Sequence, residues 1–124
     1  MSYLLVMAGG AIGAAARHLV GRATLAWFGP NYPFGTLAVN LLGGLAMGLL
    51  FGLLARIGEG SEQVRLFVGV GVLGGFTTFS AFSLDTMLML ERGELVPALG
   101  YVMLSVAGAI AALALGLSIA RATA

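Results

Sequence analysis

The stretch GGFTTFSAFS, residues 74–83, sits in the middle of an apolar run and carries four hydroxyl side chains, Thr77, Thr78, Ser80 and Ser83. Three phenylalanines, Phe76, Phe79 and Phe82, alternate with them at intervals of three. Apolar sequence flanks it on both sides, from Val64 to Leu90. As one straight helix those residues would measure about 40 Å, more than a hydrocarbon core of about 30 Å. Paired glycines weaken a helix. The third span is therefore expected to break between Gly74 and Thr78 into two half-helices. Carbonyls freed at membrane depth persist only where they line a cavity or hold a ligand, and oxygen atoms so placed suit a hard cation such as Na⁺. A continuous helix whose hydroxyls bond back to the preceding turn remains the alternative.

The rest of the chain has the same character. Of its 124 residues 60% are hydrophobic and 9% charged, against about 25% charged in a soluble domain. Too little polar surface is available to cover a water-soluble fold. The net charge of +1 and the absence of lysine argue against a nucleic-acid partner. With no cysteine, disulfides, thiolate metal sites and cysteine catalysis are excluded. Met1-Ser2-Tyr3 lacks the basic segment of a signal peptide, so the first apolar run reads as a span.

Four segments are long enough to cross a membrane: Leu4–Phe28, Phe34–Ala55, Val64–Leu90 and Leu95–Ala120. The breaks between them have turn chemistry. WFGPNYP (27–33) supplies Gly, two Pro and interfacial aromatics, RIGEGSEQVR (56–65) is polar, and ERGE (91–94) is a tight charged turn. An all-α membrane protein of one domain, residues 1–124, follows. Glycines and alanine four apart, such as Gly9 and Gly13, Gly44, Gly48 and Gly52, or Gly108, Ala112 and Gly116, suit close helix contact.

Four spans put both termini on one side. Arg56, Arg65 and Arg121 then face Arg17, Arg22 and Arg92 across the membrane, three against three. The positive-inside rule fixes no orientation for such a chain. Insertion both ways and an antiparallel, dual-topology homodimer are expected from this balance.

The polar atoms inside the spans are mostly neutral donors. Asn40 lies within the second span and either binds an anion through its amide or bonds to another helix. Phe79 and Phe82 share a face, beside a stripe of Thr77, Ser80 and Leu84. A phenyl ring is positive at its edge, so ring edges can face an anion. Tyr101 and Ser105 share a face of the fourth span. Thr36 reads as a cap of the second helix. Arg17 and Asp85 lie inside the ends of their spans, either paired or with Arg17 drawing anions into a vestibule. His18 and Arg22 read as interfacial, and Glu59, Glu62, Glu91 and Glu94 as solvated loop charges. This inventory fits an anion better than a cationic substrate.

At these residues the chain resembles the Fluc (CrcB) family of fluoride channels. The resemblance rests on Gly74–Ser83, on Gly35-Thr36-Leu37-Ala38-Val39-Asn40 and on Gly13-Ala14-Ala15-Ala16-Arg17, and it extends over the whole chain in size, span number and motif order. It implies an antiparallel homodimer in the cell membrane with two fluoride pathways. It implies a structural Na⁺ at the dimer centre, held by main-chain carbonyls of Gly74 and Thr77. The pathway residues it implies are Asn40, Phe79, Phe82, Ser80, Tyr101 and Ser105, with Arg17 at the vestibule. The expected activity is passive export of fluoride that relieves its toxicity, with no enzymatic step. Ala81 departs from the pattern, since many members carry Thr there. A small multidrug-type transporter would need an acid deep in the first span, and residues 4–16 contain none. A non-transporting membrane assembly subunit, for which the packing glycines would suffice, is the other alternative. A single His at a span edge gives a membrane enzyme no visible acid–base pair.

Overall fold

The computed structural model describes residues 2–58 and 61–123, so Met1 and the expected loop charge Glu59 lie outside the described residues. It is all-helical. Helix α1 runs Ser2–Phe28, α2 Phe34–Ile57 and α6 Leu95–Ala122, each long and apolar enough to cross a membrane. The remaining span, Glu62–Glu91, is assembled from pieces. It begins with α3 (Glu62–Val64), passes into a π-helical stretch, Arg65–Leu73, and returns to α-helix in α4 (Gly74–Phe76). Thr77 and Thr78 are extended, with ψ values of 157° and 121°, and α5 (Phe79–Glu91) follows.

The helices overrun their apolar segments by a few residues because hydrogen bonding does not stop at the edge of the hydrocarbon. Turn chemistry sets the real ends. Gly29 and Gly93 both take φ of +80°, a conformation that only glycine adopts without strain, and each follows the last turn of a helix. Pro33 occupies the N-cap position of α2 with no side-chain cap, so Thr36 lies in the first turn and does not cap it. Pro97 falls in the first turn of α6, where its missing N–H leaves no bond unmade.

Two close seams organise the bundle. Along α2 and α6, a Cβ on Gly48 would strike the Leu113 carbonyl, and one on Gly116 would strike the Leu45 carbonyl. Along α1, Gly9 and Gly13 lie against Phe67, Gly71, Val72 and Phe76, and Gly75 lies against Gly10. Without water to drive association, this backbone proximity supplies the dispersion contacts that hold the helices together. A small side-chain core, Phe82, Met89, Ala98 and Tyr101, joins α5 to α6.

Candidate functional site

The site is built around the extended pair Thr77–Thr78. In a continuous helix the Thr78 N–H would donate to the Gly74 carbonyl. Here it donates to Asn40 Oδ1 at 2.9 Å, and Asn40 Nδ2 donates back to the Thr78 carbonyl at 3.1 Å. One amide side chain from α2 thus pairs with both backbone groups of Thr78. On the other flank, Arg17 Nε from α1 donates to the Gly75 carbonyl at 3.1 Å. Arg17 lies at the C-terminal end of the half formed by α4, where a cation is favoured by the helix dipole.

The hydroxyls serve the same step. Thr78 Oγ1 caps α5 by accepting from the Ala81 N–H at 3.1 Å. Thr77 Oγ1 and Ser83 Oγ donate to the carbonyls four residues back, Leu73 and Phe79. Ser80 Oγ is 3.3 Å from Thr78 Oγ1.

Beside this step an open groove of about 420 Å³ lies between α2, α5 and α6. Asn40, Thr77, Phe79, Phe82 and Ser105 line it. Phe82 is buried and Phe79 is 76% exposed, their ring centroids 5.4 Å apart and their planes inclined at 48°. Ser105 is only 6% exposed, and its hydroxyl has no hydrogen-bond partner. A buried polar atom without a partner is costly and rare.

The structure thus brings Asn40, Phe79, Phe82 and Ser105 together, with Thr77 at the same groove. Two residues expected in one hydroxyl track do not line it. Ser80 is exposed and engages Thr78. Tyr101 is fully buried, its ring 5.3 Å from Phe82 and edge-on to Tyr32 at 5.7 Å, and its hydroxyl donates to Asp85 at 3.0 Å. The considered pairing of Arg17 with Asp85 is not formed: Arg17 serves Gly75, and Asp85 serves Tyr101.

A second groove, of about 340 Å³, lies beside Arg17, where the sequence raised a vestibule, but its other lining residues were not legible there. Arg17, His18 and Arg22 line it with Thr36, Thr78 and Ala81. Successive helical turns bring the three basic residues to one depression, and Thr78 lines both grooves. Tyr32, outside the spans, is half-buried, and that burial raises its phenol above the ordinary range. Its edge-on contact with Tyr101 extends the aromatic cluster from Phe79 to the first loop. The one signal that pointed to it was Tyr32 in the WFGPNYP turn, read only as an interfacial anchor.

A four-span membrane protein with neutral donors gathered around the extended Thr77–Thr78 pair is what fold and site define. The profile of the family described as CrcB-like protein, Camphor Resistance (CrcB), matches residues 4–117. The chain belongs to that family. It is 61% identical over 116 residues to a protein of Sphingopyxis alaskensis named fluoride-specific ion channel FluC, covering 94% of this chain and 92% of the relative. Proteins of the same name from Mesorhizobium japonicum and Phenylobacterium zucineum are each 58% identical, with 95% of this chain and 94% of each relative covered.

Proposed function

We propose that this protein is a passive, fluoride-selective channel of the cell membrane that exports fluoride and so relieves its toxicity. The observation that carries the reading is the partnerless Ser105 hydroxyl beside Asn40, Phe79 and Phe82. It is a donor without an acceptor in a groove that holds no acid. Fluoride holds its water tightly, so dehydration is the barrier. Asn40, Ser105 and the ring edges of Phe79 and Phe82 replace that water in steps, each weakly enough to release the ion. Ser80 and Tyr101 extend the path on either side of this group, and Arg17 with Arg22 gathers anions at its mouth.

The conducting unit is an antiparallel, dual-topology homodimer. Support comes from the balanced arginines and from the extended Thr77–Thr78 backbone, which borders an open groove and at membrane depth needs a protein surface rather than lipid to cover it. The extended step is then a functional break in the third helix, closed over by a second copy. The oxygen atoms at that break suit a structural Na⁺. Gly74 has lost the donor a continuous helix would give its carbonyl, since Thr78 N–H turns to Asn40. The extended backbone of Thr77 turns its carbonyl out of the helical direction. Gly74 and Thr77 of each copy would hold the ion, whose charge would offset that of an anion in low dielectric.

The test is efflux from liposomes carrying the purified protein, read with fluoride and chloride electrodes. Rapid fluoride loss with chloride retained is the expected result. Fluoride retained by a folded dimer would overturn the reading. Replacing Na⁺ with N-methylglucamine throughout purification tests the metal. Dimer dissociation or lost efflux is expected, and an unaltered active dimer would remove Na⁺ from the account.

A further inference from the structure

Asp85 is a carboxylate inside the loop-side end of its span, between the buried Phe82 and Met89 of α5. The ion pairs among the described residues, Arg65–Glu62 and Arg92–Glu94, lie at the loops, so no cation neutralises Asp85. An intramembrane acid without a countercharge is a functional candidate. Its partner is the Tyr101 hydroxyl, 3.0 Å away. That contact is not a chance surface encounter. Tyr101 is completely buried, with Phe82 against one side of its ring and Tyr32 edge-on to it. The ring cannot turn its hydroxyl elsewhere without disturbing both neighbours. Asp85 also lines a groove of about 220 Å³ with Thr24 and Thr36, open on the side of the first loop.

A phenol has one proton to donate. In this structure Asp85 holds it. An anion arriving at Tyr101 therefore meets a hydroxyl already engaged by another anion. We propose that Asp85 is a specificity-determining residue, a resident carboxylate that a permeating ion must displace from the Tyr101 hydroxyl. The proposal rests on the reading of this chain as a fluoride channel and adds the origin of its selectivity at that point.

The exchange discriminates by hydrogen-bond strength. A bond from a neutral hydroxyl to an ionised carboxylate is among the stronger ones in proteins. Fluoride is small and strongly accepting, so it can take the proton's bond from the carboxylate at little net cost. Chloride is larger and a weaker acceptor, and it leaves the carboxylate in place. Asp85 thus acts against the wrong ion, since specificity is a difference between two affinities and repulsive elements serve it as well as attractive ones. Fluoride is slowed by the same competition, and that cost is the counterpart of the discrimination.

The experiment compares fluoride and chloride efflux for the wild type, Asp85→Asn, Tyr101→Phe and the double variant, all reconstituted at equal protein density. Asp85→Asn should lower the fluoride-to-chloride flux ratio at least tenfold, chiefly by admitting chloride. Tyr101→Phe should slow fluoride, and adding Asp85→Asn to it should leave the ratio unchanged, because no proton remains to compete for. An unaltered ratio in Asp85→Asn, with the wild-type elution profile retained, would overturn the proposal. So would an equal fall in the Tyr101→Phe background, which would mean simple charge repulsion. If Asp85→Asn does not assemble, Asp85→Ser reads the same ratio. Absence of fluoride efflux from the wild type would instead bring down the channel reading itself, a result distinct from a selective wild type with an insensitive Asp85.

Discussion

The α2–α6 seam and the Thr77–Thr78 step are both built from small or weakly polar residues, and they use them in opposite ways. In the seam, every backbone hydrogen bond stays within its own helix, and glycine removes side chains so that two backbones can touch. At the step, the helix gives up its own bonds and takes replacements from Asn40 and Arg17 on neighbouring helices. Gly48 and Gly116 sit where a Cβ would meet a carbonyl of the facing helix. The nearest atom to a Cβ on Gly74 is the Gly69 carbonyl oxygen at 3.7 Å, an ordinary contact. Glycine is thus a steric requirement in the seam, while at Gly74, itself helical, no contact within the chain requires it. The seam gives rigidity and the step gives chemistry.

That contrast breaks first under alanine substitution, which carries the largest expected effect. Gly48→Ala should cost about 3 kcal/mol or more, because a methyl forced against a backbone carbonyl has no flexible neighbour to yield. Gly74→Ala meets no such conflict within one chain, so its loss should be the smaller of the two. The fraction of each variant remaining monodisperse in detergent after a heating series decides. Equal losses would mean that the seam is no tighter than the step.

Asn40 comes next. Asn40→Ala leaves the N–H and C=O of Thr78 without their partner, at about 1–3 kcal/mol for each group left unpaired away from water. Fluoride efflux should fall more than about tenfold. Asn40→Asp keeps an acceptor for the Thr78 N–H but sets a carboxylate against the Thr78 carbonyl, and efflux should fall there too. Normal flux in both variants would remove Asn40 from the working site.

The two phenylalanines separate packing from conduction. Phe82 is 8% exposed and packs on Tyr101, so Phe82→Ile should lower stability by about 1 kcal/mol and also slow efflux. Phe79 is 76% exposed within one chain, its ring 5.4 Å from that of Phe82, so Phe79→Ile should slow efflux severalfold with a smaller loss of stability than Phe82→Ile. Unaltered flux in both would sink the role given to the ring edges.

Which parts of this were readable from sequence follows from how far apart the partners lie. The spans were legible because hydropathy is local, and the expected Leu4–Phe28 and the observed Ser2–Phe28 differ only where the helix runs on past its apolar residues. The seams were legible as glycines four apart. The composition of the Gly74–Ser83 run marked it as unusual, but not what completes it. Asn40 and Thr78 are 38 residues apart and Arg17 and Gly75 are 58 apart, and no periodicity in either segment names the other. Tyr101 shows the same limit from the other side. Its spacing from Ser105 put both on one face, yet the bulk of the phenol carries its hydroxyl past the groove to Asp85. Side-chain length decides that destination, and helical spacing does not encode it.

The smallest expected effect concerns Ala81, the one departure from the pattern that the resemblance implies. Ala81 lies in the first turn of α5, its N–H donated to Thr78 Oγ1, and it lines the basic groove with Arg17, His18 and Arg22. A β-branched residue there costs a few tenths of a kcal/mol in helix propensity, about the difference between Ala and Thr. Its hydroxyl adds one neutral donor at a place where the arginines supply charge but the Ala81 side chain supplies no hydrogen bond. Ala81→Thr should therefore raise initial fluoride efflux by no more than about threefold, less than one hydrogen bond's net worth of about 1 kcal/mol would allow. The measurement is the initial electrode slope at matched protein density, with the elution profile as control. A slower channel would mean that the new hydroxyl competes with the Ala81 N–H for Thr78 Oγ1 and loosens the cap of α5. The step would then be more sensitive to its own cap than to the groove beside it, which would sharpen its contrast with the seam.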